Sequence, residues 1–437
     1  MVKVIVAEQK HNCEHLLGKF VDESHYDHLI EEDTDVYMPP QMGEDPISEK
    51  RIVLKFRKNY FSKEQQDAAY VGLREAAIRT ENRGLASGIK DGIMATSEGR
   101  EWVTNYQQEM MEQLLKNRNS SLDNEDVIDS IRAKYPREVD KKMAGGSGKN
   151  NVWVISRFRG KFDFEAWLDS IKGMSRQERA TATEEVLKMV STTTYGTAVN
   201  SGIAGWFDRY PRIPYGRATS YTRDNFDKFQ MSYPFLQNLA KGFKDLLPWR
   251  FNNQMEAASK LDPRFLVPGT PFTTITVNKT FRTAAHYDAG DLNEGLSNLL
   301  TLSNDSRYTG GYLIAPEYRV AVNVRPGDLL LINNHEVMHG NTEIKCEEGS
   351  ERVSLVCYFR EKMLELGSFE YEDTRYNFVE SRRLNKEHPL WKPLWNGVSE
   401  AMWDSQEWYD YCEQKLGREE LLKYHPEANA SSLEEFF

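Results

Sequence analysis

From Leu261 onward the chain is cut into short strand-like runs by clusters of Gly, Pro, Asn and Asp. "PFTTITVNKTFRTAAHYD", "GGYLIAPEYRVAVNV", "DLLLINN" and "RVSLVCYFRE" follow one another with no helical period between them. Short strands without intervening helices predict a sandwich or a double-stranded jelly roll. Upstream the texture is mixed. "VKVIV" and "RIVLKF" read as strands, and "SKEQQDAAYVGLREAAIRT" reads as a helix with Ser62 as N-cap. A second helix is expected over about 98–117, a strand at "NVWVISRF" and a helix capped by Ser175. The expected fold class is therefore α+β, a double-stranded β-helix (jelly-roll) core flanked by N- and C-terminal helices. Three regions are expected: 1–150, mixed and largely helical; 151–370, the jelly-roll domain; and 371–437, a helical extension packed on the core.

The chemistry-bearing residues lie in this strand-rich part. In "FRTAAHYDAGDL", residues 281–292, His286 and Asp288 are two apart and so share one face of a strand. His339, in "NNHEVMHGNT", follows close to the end of another strand. Two imidazoles and one carboxylate make a facial triad that leaves positions open on Fe(II) for a co-substrate and O2. His335 competes with His339, since residues four apart can share a strand face; His339 is preferred because His335 suits a turn or a supporting role. The following strand supplies Arg352, with Ser354 on the same face. A guanidinium holds a carboxylate through two parallel hydrogen bonds, as the distal end of 2-oxoglutarate requires. Asn278 and Arg282 stand at even offsets from His286 and are expected to line the cofactor pocket, the alternative being the surface. HxD alone is a weak signal; HxD, a distal His and a later Arg in a jelly-roll texture is a specific one. The bland alternative is a cupin-like fold whose histidines fill polar corners.

These residues also carry a family likeness. "NKTFRTAAHYDAGDLNEGLSNLLTLS", "YTGGYLIAPEYRVAVNVRPGDLLLINNHEVMHGNT" and "RVSLVCYFRE" resemble the TET/JBP family, Fe(II)- and 2-oxoglutarate-dependent dioxygenases that hydroxylate the methyl group of thymine or 5-methylcytosine in DNA. The base-J thymine hydroxylases and their phage relatives look most similar. The clear match spans about 275–362, with a weaker one over 210–225. The resemblance implies Fe(II) on His286, Asp288 and His339, 2-oxoglutarate on Arg352, and O2 as co-substrate. The chain departs from animal TET proteins in lacking their cysteine-rich zinc-binding region, and no separate base-J-binding domain is evident.

A methyl group stacked inside a duplex cannot reach buried iron, so DNA as partner implies a flipped pyrimidine base. The net charge of −11 is unlike a protein that coats nucleic acid, but it is uneven. Residues 209–250 carry eight Lys/Arg against three Asp, and residues 361–437 carry seventeen acids against nine bases. Arg209, Arg212, Arg217 and Arg223, interleaved with tyrosines, suit phosphate contacts and base stacking. The same arginines could instead sit in a solvated loop or pair with the acidic tail. Asp291 could accept from thymine N3–H or cytosine N4–H2, or simply cap the turn at "AGDLN". The acidic balance favours the alternative substrate class, a small molecule or a protein side chain on the same iron site.

Other clusters read as structural. "HNCEHL" lacks the spacing of a zinc site, and the tail tryptophans Trp391, Trp395, Trp403 and Trp408 recur at helical intervals as core against the jelly roll. "GGSGKNN" lacks the ending of a phosphate-binding loop. Four scattered cysteines without a CxxC pair point to a reducing compartment. With no apolar run of membrane-spanning length and no signal-peptide pattern, a cytoplasmic or nuclear monomer away from membranes is expected.

Overall fold

A computed structural model gives the fold; it describes residues 2–80, 83–88, 170, 173–175, 178, 199–208, 215–384 and 400–428. The chain divides into two compact units. One comprises Met1–Cys13, Phe20–Thr80 and Val199–Phe437, the other Glu14–Lys19 and Glu81–Ala198. In the second unit Ser175 and Glu178 form a reciprocal cap: Ser175 Oγ accepts from Glu178 N–H at 3.3 Å, and Glu178 Oε2 accepts from Ser175 N–H at 2.8 Å. The helix expected over 98–117, "GGSGKNN", "NVWVISRF" and the boundary at residue 150 lie outside the described residues.

The first unit is built on a large sheet. Its strands run in the order Lys3–Val6, Thr34–Tyr37, Ile52–Arg57, Leu329–Ile332, Ser297–Ser303, Arg352–Tyr358, Thr274–Lys279, Val199–Asp208 and Ile78–Thr80, with Gly216–Ala218 paired to Val199–Asp208. All its pairings are antiparallel except Lys3–Val6 with Thr34–Tyr37. A second sheet has the order Gly340–Asn341, Leu313–Ala315, Val320–Val322 and His28–Ile30. Strands of the first eighty residues thus belong to both sheets of the unit that carries the HxD segment.

Alternation along the strands explains the layering. Val353, Leu355 and Cys357 point to one face of the large sheet, together with Ile275, Val277, Leu300 and Leu302. That face is covered by the helices Lys63–Leu73, Phe226–Met231, Tyr233–Leu246 and Pro248–Ser259, through Ala69, Leu73, Phe229, Phe235, Leu239 and Phe243. The opposite face supplies Val36, Phe56, Leu299, Leu330 and Ile332, which pack on Ile30, Leu313, Val320 and Val322 of the second sheet. Two sheets closed on a common apolar interior, with helices outside, realise the α+β jelly-roll expectation. Truncating one of these fully buried leucines to Ala costs about 2–5 kcal/mol.

Three local readings change. The helix begins at Lys63 with Ser62 and Gln65 as a capping box, but ends at Leu73; Ile78–Thr80 leave it and pair with Val199–Ser201. The solvated-loop alternative for the arginine segment does not hold for its described part: Gly216–Ala218 is a strand, Ser220–Asp224 and Phe226–Met231 are helical, and further on Arg250 is buried. The tail tryptophans Trp403 and Trp408 are core, as expected, but the cluster they form is one of their own, with Tyr215, Tyr371, Phe378 and Cys412. Trp391 and Trp395 lie outside the described residues.

Candidate metal and cofactor site

The strand Thr274–Lys279 ends before the HxD segment. Thr280 takes φ +45, in the left-handed region, and this breaks the two-residue period. Residues 281–285 are therefore not a continuation of that strand, and the even-offset argument for Arg282 fails. The Arg282 guanidinium donates to the backbone oxygens of Val21 at 2.7 Å and Asn341 at 3.3 Å, and it stacks 4.8 Å from the Phe20 ring. It straps the chain rather than lining a pocket with Asn278.

His286 instead pairs across to His339 in an isolated antiparallel bridge, with N–H···O distances of 2.9 and 3.0 Å. Gly340 eases the close approach. A Cβ there would stand 3.0 Å from Val21 Cγ2 and 3.1 Å from the Ala284 carbonyl carbon. This bridge brings the two imidazoles to a centroid separation of 4.4 Å. Asp288 Oδ1 lies 3.4 Å from His286 Nε2 and 3.9 Å from His339 Nε2. One donor atom from each of the three residues falls within 4.8 Å of the others.

Hydrogen bonds orient this set. His286 Nδ1 is 2.8 Å from the Ala284 carbonyl, and His339 Nδ1 is 3.0 Å from that of Val337. A carbonyl only accepts, so each Nδ1 carries the hydrogen and each Nε2 keeps its lone pair for a metal. Asp288 Oδ2 accepts from Asn334 Nδ2–H at 2.9 Å, which aims Oδ1 at the imidazoles. Burial draws the His339 imidazole down to about 4, with the charge of His286 adding to it, so this ring is neutral at pH 7. Burial opposes the charged forms of His286 and Asp288 as well. It is outweighed by their mutual hydrogen bond and attraction, which raise His286 and hold Asp288 at about 2. Neutral imidazole and ionised carboxylate are the forms a divalent cation requires. His335 is exposed and lines a separate cavity of about 570 Å3 with Lys10, Tyr287, Tyr318 and Glu336. It is not part of the ligand set.

Arg352, at the start of its strand, is 1% exposed. Its Nη2 reaches only Thr301 Oγ1 at 3.3 Å and the Gly311 oxygen at 3.4 Å, and its Nε has no hydrogen-bond partner. Among the described residues no carboxylate lies within ion-pair distance of it. Gly311, at φ +71, leaves the room: a Cβ would stand 3.1 Å from Arg352 Nε. Burial pushes this guanidinium below the usual range. A buried cation without a counter-ion is costly unless an anion joins it, which fits a dicarboxylate co-substrate. Beside it, Ser201, Asn278, Ser354 and Thr301 are cross-strand neighbours over four adjacent strands. Ser201 Oγ donates to Asn278 Oδ1, so Asn278 joins the same polar row as Ser354.

Sequence reasoning missed three supporting residues. Asn334, which positions Asp288, is visible in the sequence only as one of a turn pair. Thr301 alternates with leucines in a strand. Tyr308 carries the Arg325 guanidinium 4.7 Å over its ring, and its hydroxyl favours the charged form of nearby Arg352.

Asp291 is buried, and Ser297 Oγ donates to its carboxylate. Burial, with the charge of Asp288 adding, pushes its carboxyl up to about 8. Arg217 and Arg223 line one small cavity of about 120 Å3 with Trp206, Phe265, Phe369 and Tyr376. They differ in commitment. Arg223 bonds Asp224 at 2.9 Å and Tyr376 Oη at 2.7 Å, whereas Arg217 stacks 4.9 Å from the Phe207 ring and has no acidic partner among the described residues. Arg209 and Arg212 lie outside the described residues. No helix among the described residues is long and apolar enough to cross a membrane.

Residues 203–361 match the Tet_JBP family model, described as the oxygenase domain of the 2OGFeDO superfamily. Thymine dioxygenase JBP1 of Trypanosoma brucei brucei is 35% identical over 171 residues, which is 38% of this chain and 20% of the relative. The bifunctional helicase and thymine dioxygenase JBP2 of Leishmania infantum is 27% identical over 333 residues, 74% of this chain and 29% of the relative. The matched part thus spans about a fifth to a third of the length of these relatives. Among solved structures, NgTET1 in complex with 5mC DNA aligns with a TM-score of 0.41 and 11% identity, covering 87% of this chain and 90% of that one. All the candidate ligands and Arg352 fall inside residues 203–361, the segment that matches the Tet_JBP oxygenase model.

Proposed function

We propose that this chain is an Fe(II)- and 2-oxoglutarate-dependent dioxygenase that hydroxylates the 5-methyl group of thymine or 5-methylcytosine in DNA. The observation that carries the reading is the convergence of two Nε2 atoms and one carboxylate oxygen, with a buried guanidinium on the large sheet of the same unit whose Nε is unbonded and which no carboxylate among the described residues pairs. His286, Asp288 and His339 would hold the iron, and Arg352, with Ser354, Asn278 and Thr301 nearby, would hold the far carboxylate of 2-oxoglutarate. Bound iron supplies the activation of O2 that couples oxidation of 2-oxoglutarate to succinate and CO2 with hydroxylation of the substrate. The chain's own part is to fix ligand geometry, to keep Nε2 free of protons and to exclude water around Arg352. Asp291, whose carboxyl is pushed up by burial, would face the edge of a flipped-out base and, in its protonated form, offer it both a donor and an acceptor. Arg217, and more weakly Arg223, would hold backbone phosphate. The activity named for the JBP relatives favours thymine. The protein would act as a monomer in the cytoplasm or nucleus, where its four free cysteines stay reduced.

The test is mass spectrometry of nucleosides from DNA treated with the protein, Fe(II) and 2-oxoglutarate. 5-Hydroxymethyluracil or 5-hydroxymethylcytosine is expected. Succinate formation that DNA does not stimulate, with no modified nucleoside, would overturn the reading in favour of a small molecule or a protein side chain.

A further inference from the structure

Neither segment that presents the candidate ligands lies within a long strand ladder. Residues 281–288 are irregular, and residues 333–339 form the turn between Leu329–Ile332 and Gly340–Asn341. The His286–His339 bridge is a single pair. Asp288 N–H to Asn334 O at 3.0 Å and Asn341 N–H to Thr283 O at 2.9 Å flank it. Scattered single bonds rather than a ladder thus join the two segments, and a side chain that grips both adds to their fixation.

Glu317 is such a side chain. It sits in the short turn Pro316–Tyr318, closed by Arg319 at φ +56, and is only 3% exposed. Its two oxygens are divided between the two segments. Oε1 accepts from the hydroxyl of Tyr287, the residue between His286 and Asp288, at 2.8 Å. Oε2 accepts from the backbone N–H of Met338, the residue before His339, at 2.8 Å. Lys10 Nζ, 3.3 Å from Oε1, balances the buried charge. Carboxylate acceptors make short, strong hydrogen bonds, and a planar group bonded through both oxygens sets distance and orientation together.

We propose that Glu317 is a positioning residue for the metal centre, clamping the Tyr287 segment to the Met338 segment. The inference rests on the metal reading above. Glu317 touches no candidate ligand side chain; its effect passes through the neighbours on the chain.

Two conservative substitutions test it. Tyr287→Phe removes one arm without changing charge. Glu317→Gln keeps an acceptor for Met338 N–H but replaces the charged acceptor shared by Tyr287 and Lys10. Each apo-protein is titrated with Co(II) without oxygen, reading both affinity and the ligand-field absorption, and its apo melting curve is recorded. Co(II) affinity is expected to fall roughly threefold to tenfold in each variant, at or below the low end of what outer contacts of metal ligands contribute. Altered visible bands are expected with it, and the apo Tyr287→Phe melt should stay near wild type. Wild-type affinity and wild-type bands in both variants would overturn the clamp. His339→Ala separates this from failure of the metal reading. If His339→Ala loses Co(II) while both clamp variants bind normally, only the clamp falls. If His339→Ala also binds like wild type, the metal reading itself falls, and the clamp with it.

Discussion

Two histidine–acid clusters stand among the described residues, and each brings three potential ligand atoms within 4.8 Å. One is His286, Asp288 and His339; the other is Asp404, His425 and Glu427 in the C-terminal helical region. They differ in what their nitrogens already do. His425 Nε2 lies 2.7 Å from the Tyr371 hydroxyl and receives Trp408 Nε1–H at 3.0 Å, while its Nδ1 is 3.1 Å from Glu427 Oε1. Both ring nitrogens are engaged by protein. In the jelly-roll cluster each Nδ1 is held by a carbonyl, and each Nε2 faces only the Asp288 carboxylate that the two rings share. Proximity of ligating types is thus common to both clusters; ring nitrogens turned only toward a shared carboxylate, where one cation can replace a proton, belong to one.

The largest expected effect breaks the comparison if it fails. His339→Ala or Asp288→Ala should abolish Fe(II) or Co(II) binding and succinate formation, a loss of at least about 100-fold, beyond the range for supporting contacts. His335→Ala should keep most of the metal. His425→Ala should keep both metal and turnover but destabilise the fold by about 2–4 kcal/mol, because it leaves a buried Trp408 N–H and Tyr371 hydroxyl unpaired. Anaerobic metal titration and urea unfolding of the three histidine variants decide this. Metal loss in His425→Ala with retention in His339→Ala would invert the assignment.

The next effect tests whether Arg352 awaits an anion. Arg352→Lys replaces a fork by a point charge, so 2-oxoglutarate affinity should fall about tenfold or more while metal stays bound; hydrogen bonds to charged groups contribute about 1.5–3 kcal/mol each. Arg352→Met should remove 2-oxoglutarate binding yet leave the apo-protein as stable as wild type or more so, since it deletes a buried charge that no carboxylate among the described residues pairs. Calorimetric titration with 2-oxoglutarate and apo melting curves provide both readings. A strongly destabilised Met variant would mean that the guanidinium already has a stabilising role in the apo fold.

How much of this is legible in the sequence follows from where each signal resides. HxD, the later His and the Arg are fixed by chemistry and can be read as residue types at intervals. The burial of Val353, Leu355 and Cys357 opposite Arg352 and Ser354 can be read from alternation. The placing of Arg282 cannot, because parity fails wherever one residue leaves the extended region, as Thr280 does. The joining of Ile52–Arg57 to Leu329–Ile332 is hidden because the pairing, Leu54 with Ile332, spans most of the chain. Glu317 is hidden for a related reason: its partners are defined only after both sheets have closed.

Asp291 gives a smaller, pH-dependent effect. Its folded-state pKa, about 8, lies above that of an unfolded aspartate, near 3.9. The folded state therefore favours the proton, and this group's contribution to apo stability is present at low pH and lost as pH rises from about 4 through about 8. Asp291→Asn should flatten that slope and gain about 1 kcal/mol or more at pH 8, since moving a pKa by one between the two states is equivalent to about 1.4 kcal/mol. Urea unfolding of the apo-protein at pH 5 and pH 8 measures it. An unchanged slope would place the raised carboxyl elsewhere. Lost turnover on DNA with normal 2-oxoglutarate affinity would support its place at the base.

The smallest effect concerns the two arginines of the aromatic cavity, and it sharpens the same lesson about commitment. Arg223 already spends its donors on Asp224 and Tyr376, while Arg217 offers an unpaired guanidinium among the described residues. A phosphate would have to displace Asp224 from Arg223 but nothing charged from Arg217. Arg217→Ala should therefore weaken DNA binding severalfold, and the slope of log affinity against log salt should flatten by about one, as when a single phosphate is no longer neutralised. Arg223→Ala should change both quantities less, and neither substitution should alter 2-oxoglutarate affinity. Fluorescence anisotropy with a labelled duplex at several salt concentrations gives the slopes. If Arg223→Ala has the larger slope change, ion-pairing within the chain does not predict availability here. If both match wild type at every salt, the cavity is structural and DNA is held elsewhere.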